Sequence, residues 1–168
     1  MARLPQGSGL RPFLPGDTPL LAEIFRASVE ELTADDYSQA QQAEWIARVD
    51  DEAAFGRKLA ANLTLVATVA GAPVGFISLK GTESIDQLYV HPAAARQGIA
   101  TLLSDALEKL AQARGARMLT VDASDSARDF YEKRGFKAQQ RKTIQLGDEW
   151  LGHTTMRKTF AEAERKLQ

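Results

Sequence analysis

Leu88-Tyr89-Val90-His91-Pro92-Ala93-Ala94-Ala95-Arg96-Gln97-Gly98-Ile99-Ala100-Thr101-Leu102-Leu103 is the stretch that decides the fold of this chain. It reads as a strand, a tight turn and a helix. The strand stops at His91-Pro92, because proline has no N–H for a ladder. Beyond it Ile99, Leu102, Leu103, Ala106, Leu107 and Leu110 recur at helical spacing. The spacing predicts a helix over residues 96–114, with Gly115 as its C-terminal stop. Gly98 and Ala100 fall in its first turn. A helix N-terminus offers unpaired N–H groups and partial positive charge, and small residues let a phosphate approach the backbone. Two readings follow: a phosphate cradle, or a small-residue helix start packed on a sheet. The turn lacks the lysine of a P-loop and the G-x-G-x-x-G of a dinucleotide site.

Working outward, residues 10–14 are a short apolar start before the turn Pro15-Gly16-Asp17. Thr18-Pro19 opens a helix with a capping hydroxyl, and Leu21, Ile24, Phe25, Val29 and Leu32 form its apolar face. Ser38-x-x-Gln41 is a capping-box pattern opening a second helix through Trp45 and Ile46. Asp50 and Asp51 open a third, with Phe55, Leu59 and Leu63 on one face. Residues 65–69 and 74–79 read as a hairpin around Gly71-Ala72-Pro73, and residues 84–90 as the next strand. Simple alternation places Ser84, Asp86, Leu88 and Val90 on one face of that strand and turns Gln87 away. Downstream lie a strand from Met118 to Val121, a short helix over 126–134 ending at Gly135, and a strand pair, 136–146 and 149–158, across Gly147-Asp148. This order predicts an α/β domain with one mixed sheet covered by helices. Its parallel crossover runs from strand 84–90 through helix 96–114 to strand 117–122.

The 168 residues suit a single domain, with a core over about 8–160 and a polar tail at 161–168. Twenty-one basic side chains balance 22 acidic ones, a net charge of -1, so no basic excess points to nucleic acid. Cysteine is absent, which excludes disulfides, thiolate metal sites and a thiol nucleophile. Two separated histidines, His91 and His153, make no His-rich metal site, so no metal is expected. Neither a signal-peptide core nor a membrane-length apolar run is present, and a soluble cytoplasmic protein is expected.

Two of these segments together resemble the GCN5-related N-acetyltransferases. Residues 88–103 are similar to that family's motif A, in which Q/R-x-x-G-x-G/A receives the pyrophosphate of acetyl-CoA; Ala95 stands where Gln or Arg is usual, with Arg96 beside it. Ser124-Asp125-Ser126-Ala127-Arg128-Asp129-Phe130-Tyr131-Glu132-Lys133-Arg134-Gly135-Phe136 resembles motif B, N-x-x-A-x-x-F-Y-x-x-x-G-F, with Ser124 in place of Asn. Leu10-Arg11-Pro12 with Gly16-Asp17, and Pro73-Val74-Gly75-Phe76, also fit the family, so the resemblance spans about residues 8–160.

The resemblance implies a mixed, mostly antiparallel sheet flanked by helices and direct acetyl transfer from acetyl-CoA to a primary amine, without a covalent enzyme intermediate. The implied cofactor contacts are Leu88, Tyr89, Val90, Arg96, Gln97, Gly98, Ile99, Ala100, Thr101, Ser124, Ala127, Phe130 and Tyr131. The strand at Leu88–Val90 is expected to be open, with a backbone N–H for the thioester oxygen. Ser124 either meets the pantetheine arm or caps the following helix. Tyr131 is the implied acid for the leaving thiolate, the alternative being a core aromatic pair with Phe130. Asp86, with Glu83, is the candidate base, against a polar strand end served by a water chain. Tyr37, Trp45, Trp150 and His153 are the candidate acceptor lining. The expected partners are acetyl-CoA and a small amine, with neither nucleic acid nor membrane, and a second copy in a homodimer as an option. The alternatives are a protein or peptide N-acetyltransferase and a non-catalytic acyl-CoA sensor.

Overall fold

The computed structural model describes residues 3–161, so all but the first residue of the expected tail lies outside the described residues. The elements are β1 (Ser8–Pro12), α1 (Thr18–Leu32), α2 (Gln39–Ile46), α3 (Glu52–Ala61), β2 (Leu63–Val69), β3 (Ala72–Lys80), β4 (Ser84–Val90), α4 (Ile99–Ala113), β5 (Met118–Ser124), α5 (Arg128–Lys133), β6 (Lys137–Leu146) and β7 (Glu149–Thr159). Local chemistry sets several boundaries. Ser38 Oγ accepts the Gln41 N–H at 3.1 Å while Gln41 Oε1 accepts the Ser38 N–H at 2.8 Å, the reciprocal box that opens α2. Asp51 accepts the Ala54 N–H at 3.0 Å and opens α3. Thr18 does not cap α1: its hydroxyl donates to the Pro15 carbonyl at 2.8 Å. The polar work at that end falls to Asp17, whose carboxylate takes both Arg11 nitrogens, at 2.7 and 2.8 Å, and the Leu14 N–H at 2.9 Å.

One sheet of order β1-β2-β3-β4-β5-β7-β6 runs through the described residues. Every neighbouring pair is antiparallel except β4 and β5. That pair is parallel because α4 carries the chain back across one face, as the sequence predicts. The α4 side of the sheet buries Ile77, Leu79, Leu103, Leu107, Leu119 and Met156. The α1–α3 side buries Leu21, Phe25, Val29, Phe55, Leu59 and Phe76. Leu103 and Leu107 are wholly buried, and truncating either to alanine costs about 2–5 kcal/mol.

Two further expectations are corrected. The helix after β4 begins at Ile99, not at 96, because Arg96 (φ 60°) and Gly98 (φ 84°) are left-handed and cannot continue a right-handed helix. The faces of β4 also differ from simple alternation. Ser78 pairs with Gln87 but the next β3 residue, Leu79, pairs with Ile85, so Asp86 is the extra residue of a β-bulge. Leu88 and Val90 therefore pack with Ile85 on the α4 side, whereas Asp86 meets Lys58 and Asn62 at the end of α3. Gln87 sits opposite Ser78, which Asn62 also contacts, so it shares that α3 side.

Candidate active site

β4 and β5 are paired only at Ser84–Thr120 and Ile85–Val121. The Asp86 bulge follows directly and bends β4 away. Past it the strands diverge into a cleft of about 1250 Å³ lined by both strands, the start of α4, α5, α2 and β7. The free edge of β4 can be assigned from its pairing. His91 N–H bonds the Val74 carbonyl at 2.8 Å on the β3 side. Antiparallel alternation then directs the backbone groups of Tyr89 toward β3 and those of Leu88 and Val90 into the opening. An extended amide-bearing chain can pair there as an added strand.

At the mouth of the opening the chain makes its left-handed turn. Arg96 and Gly98 flank Gln97, and this geometry gathers successive N–H groups into an anion-binding concavity. The helical bonds begin at Leu102 N–H to Gly98 C=O, 2.9 Å, so the N–H groups of Ile99, Ala100 and Thr101 remain for a ligand. No acidic residue occupies this first turn. Gly75 of β3 holds it in place. A Cβ there would stand 3.2 Å from Ile99, 3.3 Å from Leu103 and 3.0 Å from the Tyr89 carbonyl. Only glycine lets α4 come this close to the strands.

The opposite rim is β5 and α5. Ser124 Oγ accepts the Ala127 N–H at 3.2 Å, a turn contact before α5 that leaves its own proton to donate into the cleft. Tyr131 is buried edge-on between Phe130 and Phe136, with centroids 5.3 and 5.1 Å away. Burial pushes its phenol well above the ordinary value, and nearby Tyr89 adds to the shift. Arg134 fixes α5 by pairing with Asp105 (2.8 Å) and Glu108 of α4 and by lying over the Phe130 ring.

Tyr37 and Trp45 reach the cleft from the α1–α3 side, both largely engaged elsewhere. Tyr37 Oη donates to the Gly152 carbonyl (2.7 Å) and accepts the Asp125 N–H (2.9 Å), tying the segment before α2 to β7 and to the turn before α5. Trp45 Nε1 donates to Tyr89 Oη at 3.2 Å, and burial raises the Tyr89 phenol to about 12. His153 lines the same wall, 8% exposed, with Nε2 buried and unpartnered, 3.8 Å from Asp122. Asp86 lines the cleft too, with Lys58 Nζ at 3.3 Å and Asn62 Nδ2 at 3.4 Å. Trp150 is 56% exposed and stands outside the lining, as does Gln97, whose amide donates to the Ala93 carbonyl. Glu83, the other candidate base, also stands outside the lining, and the cleft gathers the expected residues other than these three. Sequence reading missed that Gln87 lines the cleft on the same side as Asp86, because alternation cannot foresee a bulge, and missed the close-approach role of Gly75. Among the described residues no group of three or more His, Cys, Asp or Glu could hold a metal, and no helix is long and apolar enough to cross a membrane.

A family model of the acetyltransferase (GNAT) domain matches residues 33–160. The chain belongs to the GNAT family of acetyltransferases. It is 34% identical over 148 residues to the uncharacterized N-acetyltransferase YafP of Escherichia coli K12, covering 88% of this chain and 93% of that protein. A crystal structure of a GCN5-related N-acetyltransferase from Rhodopseudomonas palustris, also described as a class-II aminotransferase, superposes with a TM-score of 0.91 at 54% identity, over 95% of this chain and 98% of that one. The PaiA N-acetyltransferase of Thermoplasma acidophilum, in complex with coenzyme A, shares the fold at a TM-score of 0.76 and 21% identity, over 91% and 99% of the two chains. This GNAT chain is an N-acetyltransferase.

Proposed function

We propose that this GNAT enzyme transfers the acetyl group of acetyl-CoA directly to the primary amine of a small molecule. The observation that carries the reading is the two-residue parallel pairing of β4 and β5, which opens onto the left-handed turn at Arg96–Gly98. The opening receives the pantetheine arm along Leu88 and Val90, and the N–H groups of residues 99–101 receive the pyrophosphate. That the PaiA structure of the same fold is a complex with coenzyme A supports coenzyme A as the ligand.

In the reaction the amine lone pair forms a bond to the thioester carbonyl carbon. The C–S bond breaks, the nitrogen loses one proton and the sulfur gains one. The products are an N-acetyl amine and a free thiol. Leu88 N–H, fixed in direction by the ladder, donates to the carbonyl oxygen as negative charge develops on it. Tyr131 stays protonated at neutral pH and donates to the departing sulfur; a thiolate leaving into the same buried space is itself made more basic by desolvation. Asp86 takes the amine proton through water, since Lys58 and Asn62 already contact its carboxylate and the half-exposed Lys58 opens to solvent. Holding both reactants in one cleft supplies the orientation that the step requires.

Calorimetry with acetyl-CoA, followed by thiol release over a panel of primary amines, tests the reading. Binding followed by amine-dependent thiol release is expected. No binding of acetyl-CoA to the folded protein would refute it, and binding with no turnover on any amine would make the chain an acyl-CoA sensor instead.

A further inference from the structure

Two buried polar atoms face the α1–α3 side of the cleft with no partner: Gln87 Oε1 on β4 and His153 Nε2 on β7. Both residues are more than nine-tenths buried, at 9% and 8% exposure. Buried polar groups are rarely left unpaired, because each costs about 1–3 kcal/mol when a partner is absent. The register places the two on one side of the sheet. Gln87 sits opposite Ser78, on the α3 side. On β7, Leu151 belongs to the core under α1–α3, and His153 follows it at the two-residue period. An amide oxygen accepts only, and a neutral imidazole nitrogen without its proton does the same. Together they suit the N–H groups of an amine.

The surroundings define the rest of the acceptor. Leu32, Trp45, Ile144, Leu146 and Leu151 line this part of the cleft and provide an apolar wall. Of the two carboxylates on the cleft wall, Asp86 is paired with Lys58, whereas Asp122 accepts the Thr155 hydroxyl at 2.6 Å, keeps its charge and lies at the seat end, 3.8 Å from His153 Nε2. The cation lining this side, Arg48, makes no ion pair among the described residues. Asp122 thus serves the seated nitrogen, while a second positive charge at the far end of the acceptor, against the wall at Trp45 and Leu151, would meet apolar carbon and the unneutralised Arg48 guanidinium. We infer that the acceptor is an apolar-bodied monoamine, its nitrogen seated between Gln87 and His153 and its body against the wall at Trp45 and Leu151, and that polycationic amines are rejected. This inference rests on the acetyltransferase function proposed above.

Hexylamine and cadaverine test it, because they match in chain length and differ by a methyl against an ammonium at the far end. With acetyl-CoA saturating, kcat/KM for hexylamine should exceed that for cadaverine by at least about 10-fold, or 1.4 kcal/mol. Arg48→Glu, on an exposed turn, should narrow that ratio by about 10-fold, a change that a purely structural Arg48 would not produce. Gln87→Met keeps the shape and removes the amide; it should raise KM for hexylamine while the calorimetric affinity for acetyl-CoA stays unchanged. Equal or better use of cadaverine overturns the substrate class, and so does failure to acetylate either amine in protein that binds acetyl-CoA. A Gln87→Met effect confined to acetyl-CoA affinity overturns the seat. Failure to bind acetyl-CoA at all counts against the proposed function itself and is read separately.

Discussion

The β4–α4 wall of the cleft and the α2–β7 wall differ in what their polar groups are made of. On the first, the free groups are backbone: the edge of Leu88 and Val90 and the N–H groups of residues 99–101. Few side chains matter there, and Ala95 brings no polar side chain to the turn. The second wall is built from side chains that meet across long sequence distances. Tyr37 bonds Gly152 and Asp125 across 115 and 88 residues, and Trp45 bonds Tyr89 across 44. A backbone-made wall fixes one ligand for many sequences, whereas a side-chain-made wall is free to change its ligand. That difference predicts which parameter each substitution should move.

Tyr131→Phe, which removes the proposed proton donor to the thiolate, should give the largest effect. General acid catalysis is typically worth 10²–10⁴-fold, so the single-turnover rate should fall about 100-fold with acetyl-CoA affinity intact. An unchanged chemical step would leave Tyr131 as packing between Phe130 and Phe136. Gly75→Val should push α4 off β3 and destabilise the fold by about 1–3 kcal/mol, as overpacking does. Acetyl-CoA binding should suffer before amine KM does, since the displaced part is the backbone wall; chemical denaturation and calorimetry on the same sample would show the order. Asp86→Asn belongs to the other side of the comparison. It should slow the chemical step about 10-fold and alter the acidic limb of the pH–rate profile, with acetyl-CoA affinity hardly moved. If the profile keeps its shape and only thermal stability drops, Asp86 is an anchor for Lys58 and Asn62.

The smallest effects concern ion pairs that hold the frame around both walls. Arg11 holds Asp17 below the usual carboxylate range, and Arg141 does the same for Asp125. A depressed folded value means that these pairs stabilise the protein above the unfolded carboxylate value, about 3.9, and that the gain is lost as pH falls through the lower folded values. Asp17→Asn should cost about 1–2 kcal/mol at neutral pH and flatten the stability loss measured between about pH 4 and pH 2.

The β4–α4 wall was legible in the sequence because its signal is local: a proline that ends a strand, a glycine in a turn and an apolar helical stripe within a few residues. The helix limits at Ser38 and Asp51 were legible for the same reason, since a cap is read three residues away. The start of α4 was misplaced because Arg96, which gives no compositional warning, takes a conformation that favours glycine. Asp86 was placed on the face of Leu88 and Val90 because alternation cannot foresee the bulge; Gln87 stays turned away from those two, and Asp86 joins it on the α3 side. Trp150 was drawn into the acceptor lining by its type, but at position 150 it follows the Gly147-Asp148 turn and points to solvent. Long-range contacts such as Tyr37 with Gly152 depend on the packed sheet and leave no trace in sequence spacing.

The central claim is that the turn at residues 96–101 is the anion cradle of the cleft. Gly98→Asn and Gly98→Asp compare most directly, because both side chains tolerate left-handed backbone and share a shape, and differ by one negative charge. Titration calorimetry with acetyl-CoA on the two folded variants should show the Asp form binding at least about 10-fold more weakly than the Asn form, as expected for a carboxylate beside a pyrophosphate. Equal affinity in the two variants would contradict the account.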